Sequence, residues 1–428
     1  MRSFRTVPTG AVLLLCSALA CAAQQVPSPA SAMAASTRAP SSLRSAIRQL
    51  WKVSPRVQAA RAELEAARAR ASASAQPLYN PELAVDAENA DVNRRTAGLS
   101  LALDLSGKRR ARTAQGEAEL RVSEASFTLA RREIAARWLK AWSSANLAGR
   151  QRELGQRRLT LMQRFDQVAA QRLKVGDISA PERDLAGLAL GEAQMQQASL
   201  LSGEASAQAS LQAIGGAHLT VPPNLPDDLP PAANAIEPRD TESMPELVQA
   251  QARLASRDAG VLVARRARIP DPTVSLSGGQ VRSGPRTDRV IGVQVAIPLP
   301  VLNTGRAEVD AARAEADAAA AGVHAEAQQA QAALQEMQAR YTAIRQAAQA
   351  FRAGRAGAFE ERAALLEKLW RAGEISTSDY LIQLKQSLDT ALSGLELESQ
   401  AWQSWFDYLT AAGRLTDWVD GRSQDDAP

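Results

Sequence analysis

The chain offers few side chains with which to do chemistry. Its 428 residues include two histidines, His218 and His324, and two cysteines, Cys16 and Cys21. Zinc sites and nucleophilic centres need several such groups at short spacing, and no Cys/His cluster or His-x-x-x-His pair is present. Gly278-Gly279 followed by Gly284 lies between two alternating segments, the wrong context for a dinucleotide loop. Trp402, Trp405, Phe406 and Tyr408 read as packing residues near the end of a helix rather than as a ligand cage. Lys108-Arg109-Arg110 with Arg112 is the densest basic cluster, and its expected role is interfacial anchoring and solubility. The residues therefore predict no enzyme, no cofactor and no resident metal.

Charge narrows the classes further. The net charge of +4 is small for this length and the two signs are interleaved, which argues against nucleic acid as a partner. Aromatic residues make up 4% and alanine is abundant, so long, closely packed helices are expected in place of a bulky core. Residues 1–23 have the layout of an export signal: Arg2 and Arg5, the apolar run Gly10 to Ala20, then a small-residue cleavage zone. Ordinary cleavage near Ala22 and lipidation at Cys21, in a lipobox-like Ala18-Leu19-Ala20-Cys21, are both open routes. With Cys16 inside the signal, no disulfide remains for the mature chain. Residues 24–40, rich in Ser, Pro and Ala, read as a flexible tail.

The remaining elements occur twice, about 190 residues apart. A first unit over 41–216 contains Leu43, Ile47, Leu50 and Trp51 on a short amphipathic helix, then a second helix opened by Ser54-Pro55. Alternation at Leu83, Val85, Leu99, Leu101 and Leu103 predicts a hairpin with strands at about 81–105 around a polar turn, Asp91 to Arg95. A proline-free helix follows over about 108–174. After a connector over 217–243, a second unit over 244–413 repeats the order, with strands at about 272–299 around a Gly/Arg/Ser-rich loop from Gly278 to Asp288 and a helix over about 306–371. Residues 414–428 read as a C-terminal tail.

Each long helix should reach about 100 Å at 1.5 Å per residue. A seven-residue apolar period runs along both, through Leu120, Phe127 and Ile134 in the first and through Val309, Ala316, Val323 and on to Leu365 in the second. That period means helices wound on partners along a narrow seam. In each unit the two shorter helices sum to about the length of the long one, so they can lie antiparallel to it. Four strands of transmembrane length cannot sit in lipid as an open sheet, nor close around their own side chains. Several copies must share one barrel, and a trimer supplies about twelve strands.

Asn80-Pro81-Glu82-Leu83, Leu105-Ser106-Gly107-Lys108-Arg109 and Pro298-Leu299, in this duplicated order, resemble the TolC-like outer-membrane efflux factors over 43–413. The first two motifs are similar to the outer-membrane subunits of cobalt–zinc–cadmium resistance pumps. The resemblance implies a mainly α fold with a small transmembrane β part: a trimeric β-barrel in the outer membrane of a Gram-negative bacterium, continuous with a periplasmic α-helical barrel. It implies a homotrimer in outer-membrane lipid, a periplasmic adaptor and an inner-membrane pump of the resistance-nodulation-division type. The adaptor-docking tips fall at Val175, Gly176, Asp177, Ile178 and Ser179, and at Ala372, Gly373, Glu374, Ile375 and Ser376. Asp379 falls where the family carries a pore-facing carboxylate, with Glu182 its counterpart in the first unit. Ile382 stands where a second gate carboxylate is usual. The expected function is a passive exit duct for heavy-metal cations; ducts for drugs or secreted polypeptides, and an exported coiled-coil scaffold without a pore, are the alternatives.

Overall fold

The computed structural model describes residues 39–216, 224–233, 244–354 and 359–420. The signal segment with Cys16 and Cys21 lies outside these residues, as do His218 and most of the N-terminal tail. In order the elements are α1 (Ser41–Val53), α2 (Pro55–Ser74), β1 (Glu82–Glu88), β2 (Val92–Ala102), α3 (Lys108–Lys174) and α4 (Ala180–Gly215). There follow α5 (Pro245–Ala267), β3 (Thr273–Ser283), β4 (Arg286–Ala296), α6 (Arg306–Ala353), α7 (Phe359–Arg371), α8 (Thr377–Ala411) and α9 (Leu415–Asp420).

The two hairpins join into one antiparallel sheet of order β1-β2-β3-β4. Each strand continues into a helix: α2 leads into β1, β2 into α3, α5 into β3 and β4 into α6. Those helices touch in the same order, α2 on α3, α3 on α5 and α5 on α6. Sheet and helices thus run as one continuous wall. Lower down, α4 takes the place of α2 beside α3, and α8 the place of α5 beside α6 and α7. Small residues let the axes close up. A Cβ on Gly116 would meet Ser74 and Ala71 of α2, and one on Gly155 would meet Leu200 and Gln197 of α4.

Two apolar clusters hold the wall. The upper one gathers α1, the middle of α3, the end of α8 and α9 around Trp138, Trp142, Trp402, Trp405, Phe406 and Trp418. Trp402, Trp405, Phe406 and Tyr408 are accordingly buried packing residues. Buried Arg132 ties α3 to both Glu246 and the Thr410 carbonyl, and burial lowers its pKa to about 10, so it stays charged at neutral pH. The connector crosses between the units here. Leu225 N–H donates to Asn146 of α3 (3.1 Å), while Pro230 O accepts from Arg345 of α6 (2.8 Å). The lower cluster is built from Phe165, Trp370, Tyr380 and Leu384 at the far end.

Several expected boundaries move. The helix expected over 306–371 is two helices, because Gly354 adopts an extended backbone (φ −75°, ψ 157°) and ends α6. The Gly278–Asp288 loop is largely strand: β3 and β4 pair from Thr273↔Ala296 to Ser283↔Arg286, leaving Gly284 and Pro285 as the turn. A Cβ on Gly279 would lie 2.1 Å from the Arg95 carbonyl oxygen, so this glycine admits β2 against β3 where a loop was expected. Val92 to Arg95 are likewise paired in β2, with the turn at 89–91. Leu103 and Leu105 follow the strand. The segment from 414 is not all tail, since Leu415, Trp418 and Val419 of α9 are buried on α1, α3 and α8.

Candidate functional site

The sheet has two unlike faces. Residues paired directly across antiparallel strands share a face, and the face alternates along each strand. One face carries the rows Leu83–Leu99–Leu276–Val293, Val85–Ala97–Gly278–Ile291 and Leu101–Val274–Val295. The other carries Glu82–Ser100–Ser275–Gln294, Ala84–Gly98–Ser277–Gly292 and Asp86–Thr96–Gly279–Val290. The apolar face is bare within the chain; Ile291 is 85% exposed and Val293 72%. Such a contiguous apolar surface marks contact with lipid or protein. Among the described residues no helix is long and apolar enough to cross a membrane. The sheet is the element with a surface suited to lipid.

Where the sheet meets the helices, Asp271 joins the two units. Its carboxylate accepts from Tyr79 Oη (2.6 Å) and Lys108 Nζ (2.9 Å), and its side chain is 5% exposed. Lys108 is therefore a half of a buried ion pair and not part of a solvated basic cluster. Sequence reasoning missed Asp271, which stands two residues before β3 begins. Asp104 accepts from the backbone N–H groups of Lys108 and Arg109 and so caps α3.

At the opposite end the two helical hairpins turn in the same way. α3 ends through Gly176 (φ 78°), with Asp177 N–H donating to the Arg172 carbonyl (2.9 Å). α7 ends through Gly373 (φ 77°), with Glu374 N–H donating to the Leu369 carbonyl (3.0 Å). A left-handed residue is what this helix stop requires, and glycine supplies it without Cβ strain. Val175, Gly176, Asp177, Ala372, Gly373 and Glu374 are exposed at these tips, whereas Ile178 and Ile375 pack against the lower cluster.

Both candidate pore carboxylates close caps. Glu182 accepts from Ser179 N–H and Ser179 Oγ–H, each at 2.8 Å. Asp379 accepts from Ser376 Oγ–H (2.7 Å) and its own N–H donates to that oxygen (3.1 Å). The Ser179 backbone N–H, helped by the Ser179 and Thr377 hydroxyls, holds the Glu182 carboxyl below its ordinary range. That cap is intact above the ordinary carboxylate pKa and is lost as pH falls through the lowered value. Ile382, one turn beyond Asp379, is exposed. The tips are tied to each other: Arg172 Nη2 donates to the Arg371 carbonyl (3.0 Å) and its guanidinium lies 4.6 Å from the Trp370 ring. Lys385 of α8 pairs with Glu192 of α4. Among the described residues no group of three His, Cys, Asp or Glu is placed to hold a metal ion.

No family model matches the chain. It is 29% identical over 246 residues to the cobalt-zinc-cadmium resistance protein CzcC of Cupriavidus metallidurans, a match covering 56% of this chain and 58% of that relative's length. Its fold is that of CusC, a protein described as undergoing conformational changes with folding and transmembrane channel formation. That likeness has a TM-score of 0.74 at 14% identity, over 89% of this chain and 94% of that one. The CmeC outer-membrane channel of Campylobacter jejuni gives a TM-score of 0.71 at 15% identity, over 90% and 91%. The chain thus resembles the TolC-like outer-membrane channels in fold as well as in motif, as a mostly helical protein with a small sheet.

Proposed function

We propose that the protein is the outer-membrane subunit of a tripartite efflux system, a passive exit duct made by three copies. The observation that carries this reading is the pair of open flanks. β1 above α2 forms one flank and β4 above α6 the other, and the sheet between them bares an apolar face. An open sheet edge is not tolerated in lipid, and two unlike edges on one chain close by head-to-tail repetition into a ring. Three copies give about twelve strands, enough for a water-filled barrel. The apolar rows then face lipid and the Ser-, Gly- and Gln-rich rows face the lumen.

Below the membrane the helices line a periplasmic conduit, and the tips at 175–179 and 372–376 dock an adaptor coupled to an inner-membrane pump of the resistance-nodulation-division type. Heavy-metal cations are the proposed cargo, by similarity to the cobalt-zinc-cadmium resistance protein. Protein purified from outer membranes should resist dissociation in mild detergent as a trimer and conduct ions in planar bilayers. A soluble elongated particle recovered without detergent would overturn the duct.

Asp379 and Glu182 are proposed to line the constriction, where three copies place a ring of carboxylates in the path of a cation. Their place in the first turns of α4 and α8, directly behind the two tip turns, supports this. Asp379→Asn keeps the cap acceptor and removes the charge, so the cation preference of single-channel current should fall without loss of trimer. Unchanged selectivity removes Asp379 from the constriction.

A further inference from the structure

Toward its turns the sheet changes character on one face only. The turns at 89–91 and 284–285 lie at the end away from the helices, so on the reading above they stand at the outer leaflet. Beyond the apolar row Val85–Ala97–Gly278–Ile291, the next row on the same face is Ala87–Arg95–Gln280–Arg289. The row after it is Asn93–Arg282–Thr287. Rows on one face are about 7 Å apart and neighbouring strands about 4.8 Å. The backbone positions of Arg95 and Arg289 therefore flank Gln280 about 10 Å from each other, with Arg282 about 8 Å from both. All three arginines are exposed, and among the described residues none of them makes an ion pair or a side-chain hydrogen bond.

The sign of the charge is sorted by face. Glu82, Asp86, Glu88 and Asp288, the acidic residues of the strands, all stand on the opposite face. There Arg94 lies across from Glu88, and Arg286 pairs with Asp288 (3.2 Å). The face with the apolar rows carries no acid, and its charges are Arg95, Arg282 and Arg289 alone. Water would accept either sign at this level, whereas a face that admits only cations points to anionic surroundings. A neighbouring copy does not supply them. In the ring, β1 of the next copy lies beside β4, and its residues on this face are Leu83, Val85 and Ala87. Like charges this close repel more strongly at the edge of a low-dielectric layer, so their counter-charge has to come from the membrane.

We propose that Arg95, Arg282 and Arg289 form a binding site for the phosphorylated sugar headgroup of an outer-leaflet glycolipid, one site on each copy. Guanidinium forks bind phosphate oxygens in pairs. Gln280, Asn93 and Thr287, in the same two rows, add neutral hydrogen-bonding groups for sugar hydroxyls. The acyl chains of the same lipid lie along the apolar rows from Ile291 down to Val295. The site rests on the lipid-facing reading of the sheet and adds to it a class of lipid and a level in the leaflet.

The test adds lipid back to the delipidated full-length trimer in detergent and counts the bound molecules by native mass spectrometry. Lipid A with both phosphates is expected to bind at one per protomer, and lipid A stripped of its phosphates about ten-fold more weakly. The triple variant Arg95→Gln, Arg282→Gln, Arg289→Gln should lose that preference. Arg94→Gln with Arg286→Gln, on the lumen face, should keep it. Inorganic pyrophosphate at the same concentration should leave the count unchanged; displacement would assign the arginines to free phosphate and overturn the lipid site. Equal binding of the two lipids, or an undiminished preference in the triple variant, overturns the site and leaves the duct standing, since trimer mass and conductance are read on the same preparation. Particles that are monomeric and take up neither lipid overturn both.

Discussion

Val293→Arg is expected to abolish recovery of the trimer from the outer membrane. Val293 lies in the middle apolar row, Leu83–Leu99–Leu276–Val293, with no neighbour on the outer side of β4 in its own chain. Arginine near the bilayer midplane costs about 2–4 kcal/mol in a transmembrane barrel, and a trimer carries the cost three times. Against ordinary stabilities of roughly 5–15 kcal/mol that sum removes most of the margin. Gln294→Arg, the next residue along the same strand but on the polar face, is the matched control and should insert normally. The contrast is sharp because Val293 is 72% exposed in the isolated chain. A sheet that met only water would accept arginine at 293 without loss. Equal recovery of both variants in the outer-membrane fraction would therefore refute the lipid-facing assignment.

The two faces of the sheet were legible because alternation is a strictly local signal: Leu83 and Val85, Leu99 and Leu101, Val293 and Val295 each mark their own face. The extent of the strands was not. Gly278, Gly279 and Arg282 have loop composition, but Gly279 is a glycine because the Arg95 carbonyl approaches it from β2, a neighbour distant in sequence. The break at Gly354 was hidden for a related reason. The seven-residue count runs unbroken from Val309 through Phe351 to Leu365, and such a period does not record a helix end at one glycine inside it. The expected tail at 414 contained its own warning, since Leu415, Trp418 and Val419 have helical spacing just after Gly413. At the tips, Ser179-x-x-Glu182 and Ser376-x-x-Asp379 are capping-box spacings plain in the sequence. Attention to their charge obscured their work as caps. Asp271 was the reverse case. Its partners Tyr79 and Lys108 lie in the other unit, so no local pattern could have shown a buried ion pair.

Trp370→Ala is expected to loosen the tips while leaving barrel and upper cluster folded. The Trp370 ring is buried, with centroids 4.5 Å from Phe165 and 5.6 Å from Tyr380. Its Nε1–H donates to Thr377 Oγ1 (3.2 Å), and Arg172 covers its face. The surroundings are dry enough that burial pushes the Tyr380 phenol up to about 12. Truncating a buried tryptophan to alanine costs about 3–5 kcal/mol, and the lost cation–π contact adds to that. No aromatic of the upper cluster is shared with the lower one, so the loss should be spent locally, as opening of the α3–α4 and α7–α8 hairpins rather than global unfolding. Hydrogen exchange should rise around 160–190 and 362–390 and stay unchanged at 134–142 and 401–409. Trp370→Phe keeps the ring stack and loses the N–H, and should recover most of the protection. Because the tips are the proposed constriction, the alanine variant should also pass more current at rest than the parent. A rise in exchange spread evenly over the whole chain would mean that the wall unfolds as one unit, with the tip too strongly coupled to the barrel to open alone.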